Sequence, residues 1–411
     1  MLLDRNSIAE KGLLQGDTAV WMIFLTLCTI SIIEVYSASS SMSYKSAHYW
    51  APVLEHSSYL VLGIIFAWFI HLIPCNMFKI IGTGMLHVAV YPMLVFTLFT
   101  AKTNGASRWI ELGGKTIQPS EFAKLFLVIF VAFILSTLRD EKGASKTAFW
   151  WVFTEVGLTV GLIFFENAST AAIILLVMLG ICFIGQVSTK YLSVLVGSIG
   201  TVAAIALITV YSIPDSKLSE WSNDEESILH RVPTWVNRLK SKNVEIPEDP
   251  NDYQITDRNT QITHAYIAVA GSNIIGRGPG NSVQRDYLPQ AYSDFIYAII
   301  IEEGGVISGI LVILLYLLLA WRAMKIAQQC KALFPSYLVM GLTLMMVVQA
   351  MVNMAVAVGA FPVTGQPLPL ISRGGTSTFV SCAYIGIILS VSRTAKKIDK
   401  KKDSTQITSS L

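Results

Sequence analysis

The chain has 411 residues, of which 53% are hydrophobic and only 14% charged, and its mean hydropathy of +0.57 is too apolar for a soluble protein of this length and places it in a bilayer. The net charge is +3, and the basic residues are scattered over loops except at the C-terminus, which excludes the concentrated positive face that nucleic acid requires. The five cysteines, Cys28, Cys75, Cys182, Cys330 and Cys382, fall in or beside apolar segments without a CxxC spacing, so neither a disulfide framework nor a zinc site is indicated.

In chain order, residues 1–18 form a charged, amphipathic segment with no evident cleavable signal, and the apolar run at about 19–37 is long enough to remain as a first membrane helix. Further apolar runs follow near 57–74, 78–100, 119–137, 148–164, 168–186, 190–212, 293–322, 336–360 and 375–393. The expected fold is an all-α polytopic membrane protein with ten transmembrane helices in a membrane domain of residues 19–393. A large extracytoplasmic loop, about 213–292, separates helices 7 and 8. Basic residues set the orientation. With the N-terminus inside, the cytoplasmic loops hold Lys79, Arg139, Lys142, Lys146, Lys190, Arg322, Lys325, Lys331 and the cluster from Arg393 to Lys402. The opposite short loops hold only Lys45, Lys102, Arg108, Lys115 and Arg373. Both termini are therefore expected in the cytoplasm, and the basic tail at 394–411 is expected to anchor on anionic lipid headgroups.

Three apolar stretches carry ionisable groups where a charge at the bilayer centre costs about 2.5 to 3.5 kcal/mol. In "IQPSEFAKLFLVIF", Pro119 suits a helix start, and Glu121 and Lys124 lie three residues apart on one face. They are either a self-satisfied ion pair or a site in which Lys124 offers a cation to an anionic group. "FFENAST" reads as a polar turn between spans. In "SDFIYAIIIEEGG", Ser293 or Asp294 is a candidate helix cap. Glu302 and Glu303 follow two to three turns later, where they need a protein partner or water, and carboxylates at several depths imply a hydrated cavity. Gly304 and Gly305 permit close helix approach. "GRGPGNS", 276–282, could aim backbone N–H groups at a phosphate or be a flexible run. Trp109 reads as an interfacial anchor, and beside Arg108 it could also hold a sugar or a phosphate.

Together these motifs resemble the SEDS family (shape, elongation, division and sporulation). "GASRWIELGGKTIQPSEFAKL" is similar to the family's first outer loop and fourth helix, "GRGPGNSVQRDYLPQAYSDFIYAIIIEEGG" to its large-loop signature, and "QAMVNMAVAVGAFPVTGQPLPLISRGGTS" to its closing motif. Departures are present as well. Gln290 stands where glutamate is usual, Tyr292 and Ser293 replace His and Thr, Arg373 replaces Tyr, and "ENASTA" replaces a Gln-Pro-Asp-x-Gly-Thr-like segment. "VYSASS" at 35–40, the length and "ENASTA" lean towards the division branch, FtsW, over the elongation branch, RodA.

The resemblance implies a peptidoglycan glycosyltransferase that joins lipid II units at the outer face of the cytoplasmic membrane and releases undecaprenyl pyrophosphate. Asp294, expected at the top of its helix under an outer loop, is the candidate general base. The substrate-binding candidates are Arg108, Trp109, Gln118, Ser120, Glu121, Lys124, Arg231, Ser282, Asp286, Pro289 and Ser372. A divalent cation, Mg or Mn, is compatible with pyrophosphate departure, whereas no nucleotide is expected because the donor is activated by its own lipid pyrophosphate. The implied partners are lipid II, a class B penicillin-binding transpeptidase, other division-complex membrane proteins and membrane lipids. A lipid II flippase is the rival from another class, since many spans with buried charges also suit a transporter.

Overall fold

The computed structural model describes residues 14–38, 51–99, 108–113, 115–164, 166–212, 236, 259–288 and 291–409. Its helices are α1 (Thr18–Ala38), α2 (Ala51–Leu72), α3 (Met77–Thr97), α4 (Pro119–Thr137), α5 (Lys146–Phe164), α6 (Ala168–Ile184), α7 (Thr189–Ser212), α8 (Thr260–Ala270), α9 (Ile296–Gln329), α10 (Leu333–Ala357) and α11 (Gly375–Ser409). Among the described residues, eight helices are long and apolar enough to cross a membrane, and α6 is a shorter apolar helix.

Local sequence explains several boundaries. Pro119 occupies the first turn of α4 after the extended Gln118, where its missing N–H removes no helical bond. Asn167 starts α6 by accepting the Thr170 N–H on its side chain at 3.2 Å. Within α3 a π turn, Leu86–Val90, precedes Pro92; the proline cannot donate to the preceding turn, and the wider turn accommodates that loss.

The apolar runs are read in two ways by the fold. Helices α4, α10 and α11 are mostly buried, whereas α2 and α3 keep broad apolar faces open, as lipid-facing helices do. One end of the bundle is tied by Asp17. Its carboxylate accepts the Ala19 and Val20 N–H groups and takes Arg322 Nη2 at 2.7 Å, while its own N–H donates to Ser392 Oγ at 2.8 Å. That end, joining α1, α9 and α11, is called here the Asp17 end.

The expected single span at 293–322 is replaced by a helical hairpin. Helix α9 is broken at Gly305 (φ 73°, ψ −176°). Tyr297 donates to the Gly309 carbonyl at 3.1 Å, and Ser308 donates to the Ile300 carbonyl at 2.7 Å. In an unbroken helix these partners are roughly 18 and 12 Å apart along the axis, so 296–304 must double back against 306–329. Residues 295–303 are buried on every side, and 306–329 alone, about 24 residues or roughly 36 Å, is long enough to span. Hydropathy reports an apolar surrounding without distinguishing lipid from protein, which is why the sequence merges the two arms.

Gly305 permits this turn because loop backbone, rather than another helix, lies against it. A Cβ there would lie 2.2 Å from the Ile274 carbonyl oxygen, and one on Gly276 would lie 2.3 Å from that of Glu303. Arg277 and Gly278 then donate their N–H groups to the Glu302 and Glu303 carbonyls at 3.0 and 2.8 Å. The glycines thus bring the 273–286 loop onto the hairpin tip.

Candidate active site

Glu302 and Glu303 do not line a hydrated cavity. Both are buried, and the glycine-rich run supplies their donors. Glu303 accepts the N–H of Gly280 at 2.8 Å and of Ser282 at 3.2 Å, and also the Ser37 hydroxyl. Glu302 accepts Ser282 Oγ at 2.5 Å and the N–H groups of Val283 and Gln284 at 3.1 and 3.3 Å, with Arg277 at 3.5 Å. The anion that "GRGPGNS" holds is therefore the protein's own pair of carboxylates, not a phosphate, and a loop so anchored is not a flexible run. Sequence-local scanning misses this because the donors lie about twenty residues upstream.

Asp294 lies at the other end of the buried arm. Glu303 is level with Ser37, one residue from the end of α1, and a helix rising 1.5 Å per residue puts Asp294 roughly 12 Å nearer the Asp17 end. It is recessed, not at the lip as expected. It is also not a helix cap: the capping position is Phe295, without a side-chain cap bond. Its half-buried carboxylate accepts the Ser293 hydroxyl at 3.0 Å.

Two other segments fix the backbone around it. Asn353 Nδ2, on α10, donates to the Asp294 carbonyl at 2.8 Å and to the Gln366 carbonyl at 2.7 Å. Ser372 Oγ donates to the Ser293 carbonyl at 2.5 Å and accepts the Leu368 N–H at 2.7 Å, and the Arg373 N–H donates to the Tyr292 carbonyl at 2.9 Å. The 366–373 loop and the 291–295 turn thus form one clamp, with Ser372 in it as a backbone holder.

The ion pair at the start of α4 closes another side of the clamp. Lys124 Nζ donates to Glu121 Oε1 and to Gln349 Oε1, both at 2.7 Å, and the lysine side chain is fully buried. Gln349 in turn donates to the Pro367 carbonyl at 3.0 Å. This is the self-satisfied arrangement, with the lysine turned into the protein instead of presented in a cavity.

The β1–β2 hairpin (Ile110–Leu112, Lys115–Ile117) leads into α4. Thr376 at the start of α11 ties it in place, donating to the Thr116 carbonyl at 3.2 Å and accepting the Gln118 N–H at 3.3 Å. Gln118 Nε2 donates to Ser120 Oγ at 3.1 Å, and the Arg108 guanidinium stacks 4.3 Å from the Trp109 ring. Ser282 and the half-exposed Asp286 sit instead at the Glu302–Glu303 end, Asp286 4.0 Å from Arg285. Arg231 and Pro289, like Gln290, lie outside the described residues.

The model of the FtsW/RodA/SpoVE family, described as cell cycle protein, matches residues 17–397. The chain belongs to that family. A Haemophilus influenzae relative, a probable peptidoglycan glycosyltransferase FtsW, is 30% identical over 393 residues, covering 93% of this chain and 92% of its own. One of the same description from Coxiella burnetii is 28% identical over 394 residues, covering 93% and 98%. Among solved structures, a chain from a peptidoglycan synthase complex that coordinates polymerization and crosslinking superposes with a TM-score of 0.68 at 23% identity, covering 92% of this chain and 98% of that one. The rod shape determining protein RodA of Thermus thermophilus gives 0.62 at 20%, covering 92% and 97%. The FtsW/RodA/SpoVE fold is therefore this chain's fold.

Three site residues escaped the sequence reading: Gln349, Asn353 and Gln366. The first two were visible in principle. They stand four apart in an otherwise apolar helix, so they share a face, and intramembrane amides on one face need protein partners.

Proposed function

We propose that this chain is a peptidoglycan glycosyltransferase that polymerises lipid II, with Asp294 as general base. The observation that carries the proposal is the half-buried Asp294 carboxylate, recessed at the foot of a buried helix and held through its backbone by Asn353 and Ser372. Membership of a family whose relatives bear that activity in their names supports it.

In this mechanism the acceptor sugar hydroxyl gives its proton to Asp294 as its oxygen attacks the anomeric carbon of the donor. The bond from that carbon to the diphosphate breaks, and undecaprenyl pyrophosphate departs with the electron pair. A positioned base contributes about 10²- to 10⁴-fold in rate. A recessed position suits the task, because partial exclusion of water strengthens the interaction of a fixed carboxylate with a proton donor.

A divalent cation, Mg or Mn, would suit the oxygen donors of the clamp. Among the described residues no group of three or more His, Cys, Asp or Glu side chains forms a site by itself, but the buried oxygens Asn353 Oδ1 and Gln366 Oε1 have no hydrogen-bond partner. Hard oxygens of this kind, with Asp294 and a substrate phosphate, suit such an ion, which would neutralise charge on the diphosphate.

The proposal extends to topology and partners. Ten spans, counting α6, α7 and the 306–329 arm of α9, would set both termini on one side, and the basic excess of the short loops would make that side the cytoplasm of a bacterium, with the Asp17 end of the bundle facing in. A class B penicillin-binding transpeptidase would crosslink the strands. The relatives' FtsW name favours division over elongation.

The test mixes purified protein, with its transpeptidase partner where required, and lipid II in detergent, and looks for glycan polymer on a gel. Detergent has no sides, so a flippase yields no product. Asp294→Asn is expected to abolish polymer while leaving folding and partner binding intact; normal polymer from that variant would remove Asp294 from the role.

A further inference from the structure

The proposed reaction needs a cation at the departing diphosphate, and the geometry redistributes the candidates. Lys124 is fully buried with Glu121 and Gln349. Arg277 and Arg285 serve Glu302 and Glu303 at the far end of the buried arm. Arg373 is placed differently. Its N–H donates to the Tyr292 carbonyl at 2.9 Å, two residues before Asp294, and the preceding Ser372 hydroxyl holds the Ser293 carbonyl.

The Arg373 side chain sits over the Tyr292 ring, 5.4 Å from its centroid, and its Nη2 lies 2.7 Å from Glu55 Oε2. The Arg373 side chain is 18% exposed and the Glu55 side chain 53% exposed. With its acidic partner half in solvent, the ion pair is held weakly from the Glu55 side. A diphosphate offers the same fork of oxygens with more charge, and guanidinium binds such groups in bidentate fashion.

We propose that Arg373 is the residue that binds the diphosphate of the polyprenyl-linked sugar beside Asp294, with Glu55 as the resting counter-ion that the diphosphate displaces. This rests on the glycosyltransferase reading and names the cation of that same site. The Tyr292 ring backs the guanidinium on one side, and the shared backbone clamp keeps base and cation in register. Tyr292 and Arg373, both departures from the motif that carries the family resemblance, are in contact here.

The test is steady-state polymerisation of lipid II in detergent by the full chain, with inhibition by undecaprenyl pyrophosphate and by inorganic pyrophosphate measured separately. Arg373→Gln is expected to raise KM for lipid II and to weaken both inhibitors by about 10-fold, the loss expected for one charge-assisted contact, with a smaller change in kcat. Arg373→Lys should recover part of the loss, and Glu55→Gln, which removes the competing negative charge, should strengthen both inhibitors. Wild-type KM and inhibition in Arg373→Gln would overturn the proposal. So would a loss confined to the lipid-linked inhibitor, which would put Arg373 on the lipid. If Arg373→Gln does not fold, Glu55→Gln decides alone: unchanged or weaker inhibition overturns the assignment. A wild-type protein that makes no polymer would instead sink the glycosyltransferase reading, and direct binding of undecaprenyl pyrophosphate to wild type and Arg373→Gln would still judge the site.

Discussion

Asn353 Nδ2 stands 2.8 Å from the Asp294 carbonyl oxygen and 2.7 Å from that of Gln366, so one amide on α10 fixes the distance between the turn that bears the carboxylate and the loop that closes over it. Both acceptors are backbone carbonyls, which sets the amide orientation. Leucine at this position fills similar volume and donates nothing. Asn353→Leu is expected to leave two carbonyls without a donor, costing about 1 to 3 kcal/mol for each buried group left unpaired. The larger effect should be on turnover. A shift of the turn by about 1 Å costs on the order of 10²-fold, so polymerisation should fall by roughly that factor while the detergent-solubilised protein remains folded; activity that falls only in proportion to stability would argue against a positioning role.

Gly305 makes the second prediction. At φ 73° it occupies a region that disfavours side chains, and its missing Cβ leaves room for the Ile274 carbonyl. Gly305→Ala combines backbone strain of about 1 to 3 kcal/mol with an overlap that only movement of the 273–286 loop relieves. Thermal unfolding in detergent should show a clear loss. Gly304→Ala meets the Ser308 Cβ at 2.5 Å and its Oγ at 2.6 Å; rotation moves only the Oγ, so the backbone must also give, but without the positive-φ strain of Gly305 its loss should be smaller. Equal losses would contradict the hairpin geometry.

These two residues also mark how far the sequence could be read. The apolar runs marked eight helices long enough to span among the described residues, Pro119 gave the start of α4, and the Glu121–Lys124 spacing allowed the pair that forms. The hairpin was hidden because an apolar run surrounded by protein and one surrounded by lipid look alike, and the Glu302–Glu303 network was hidden because its donors are backbone N–H groups, which carry no residue signature. Glu155 was missed for a related reason. Its partners, the Tyr91 hydroxyl and His87 Nε2 at 3.2 Å, come from α3, more than sixty residues away in sequence. Asp294 stood out in the sequence, whereas its recessed depth depends on the chain reversing at Gly305.

Glu303 supplies a third prediction. Its two oxygens accept the N–H groups of Gly280 and Ser282 and the Ser37 hydroxyl, with Arg285 at 4.0 Å. Glu303→Gln keeps the shape but turns one acceptor into a donor, so at least one of these groups loses its partner, at about 1 to 3 kcal/mol. The loop should open locally. Trypsin should then cut after Arg277 or Arg285 faster than in wild type, with the two glutamine variants, Glu302→Gln and Glu303→Gln, behaving alike. Unchanged cleavage would mean that the carboxylates do not hold the loop.

The fourth prediction concerns Cys75 and Cys330, outside the spans at the Asp17 end. Burial pushes the Cys75 thiol up to about 12, with a smaller contribution from Cys330, and burial pushes Cys330 up to about 11. An ordinary thiol titrates near 8.5. At neutral pH the thiolate fraction of each is therefore lower by a factor of about 300 to 3,000, and because only the thiolate attacks, maleimide labelling of the folded protein should slow accordingly. The sign for stability follows from the same shifts. A folded-state pKa raised above the unfolded value favours the neutral thiol in the native state, so the contribution is full below about pH 8.5 and declines as the pH climbs towards about 11. Unfolding monitored from pH 7 to 10 should show falling stability, and replacing both cysteines with alanine should flatten that fall. Rapid labelling at pH 7 without unfolding would show that these thiols are not sequestered.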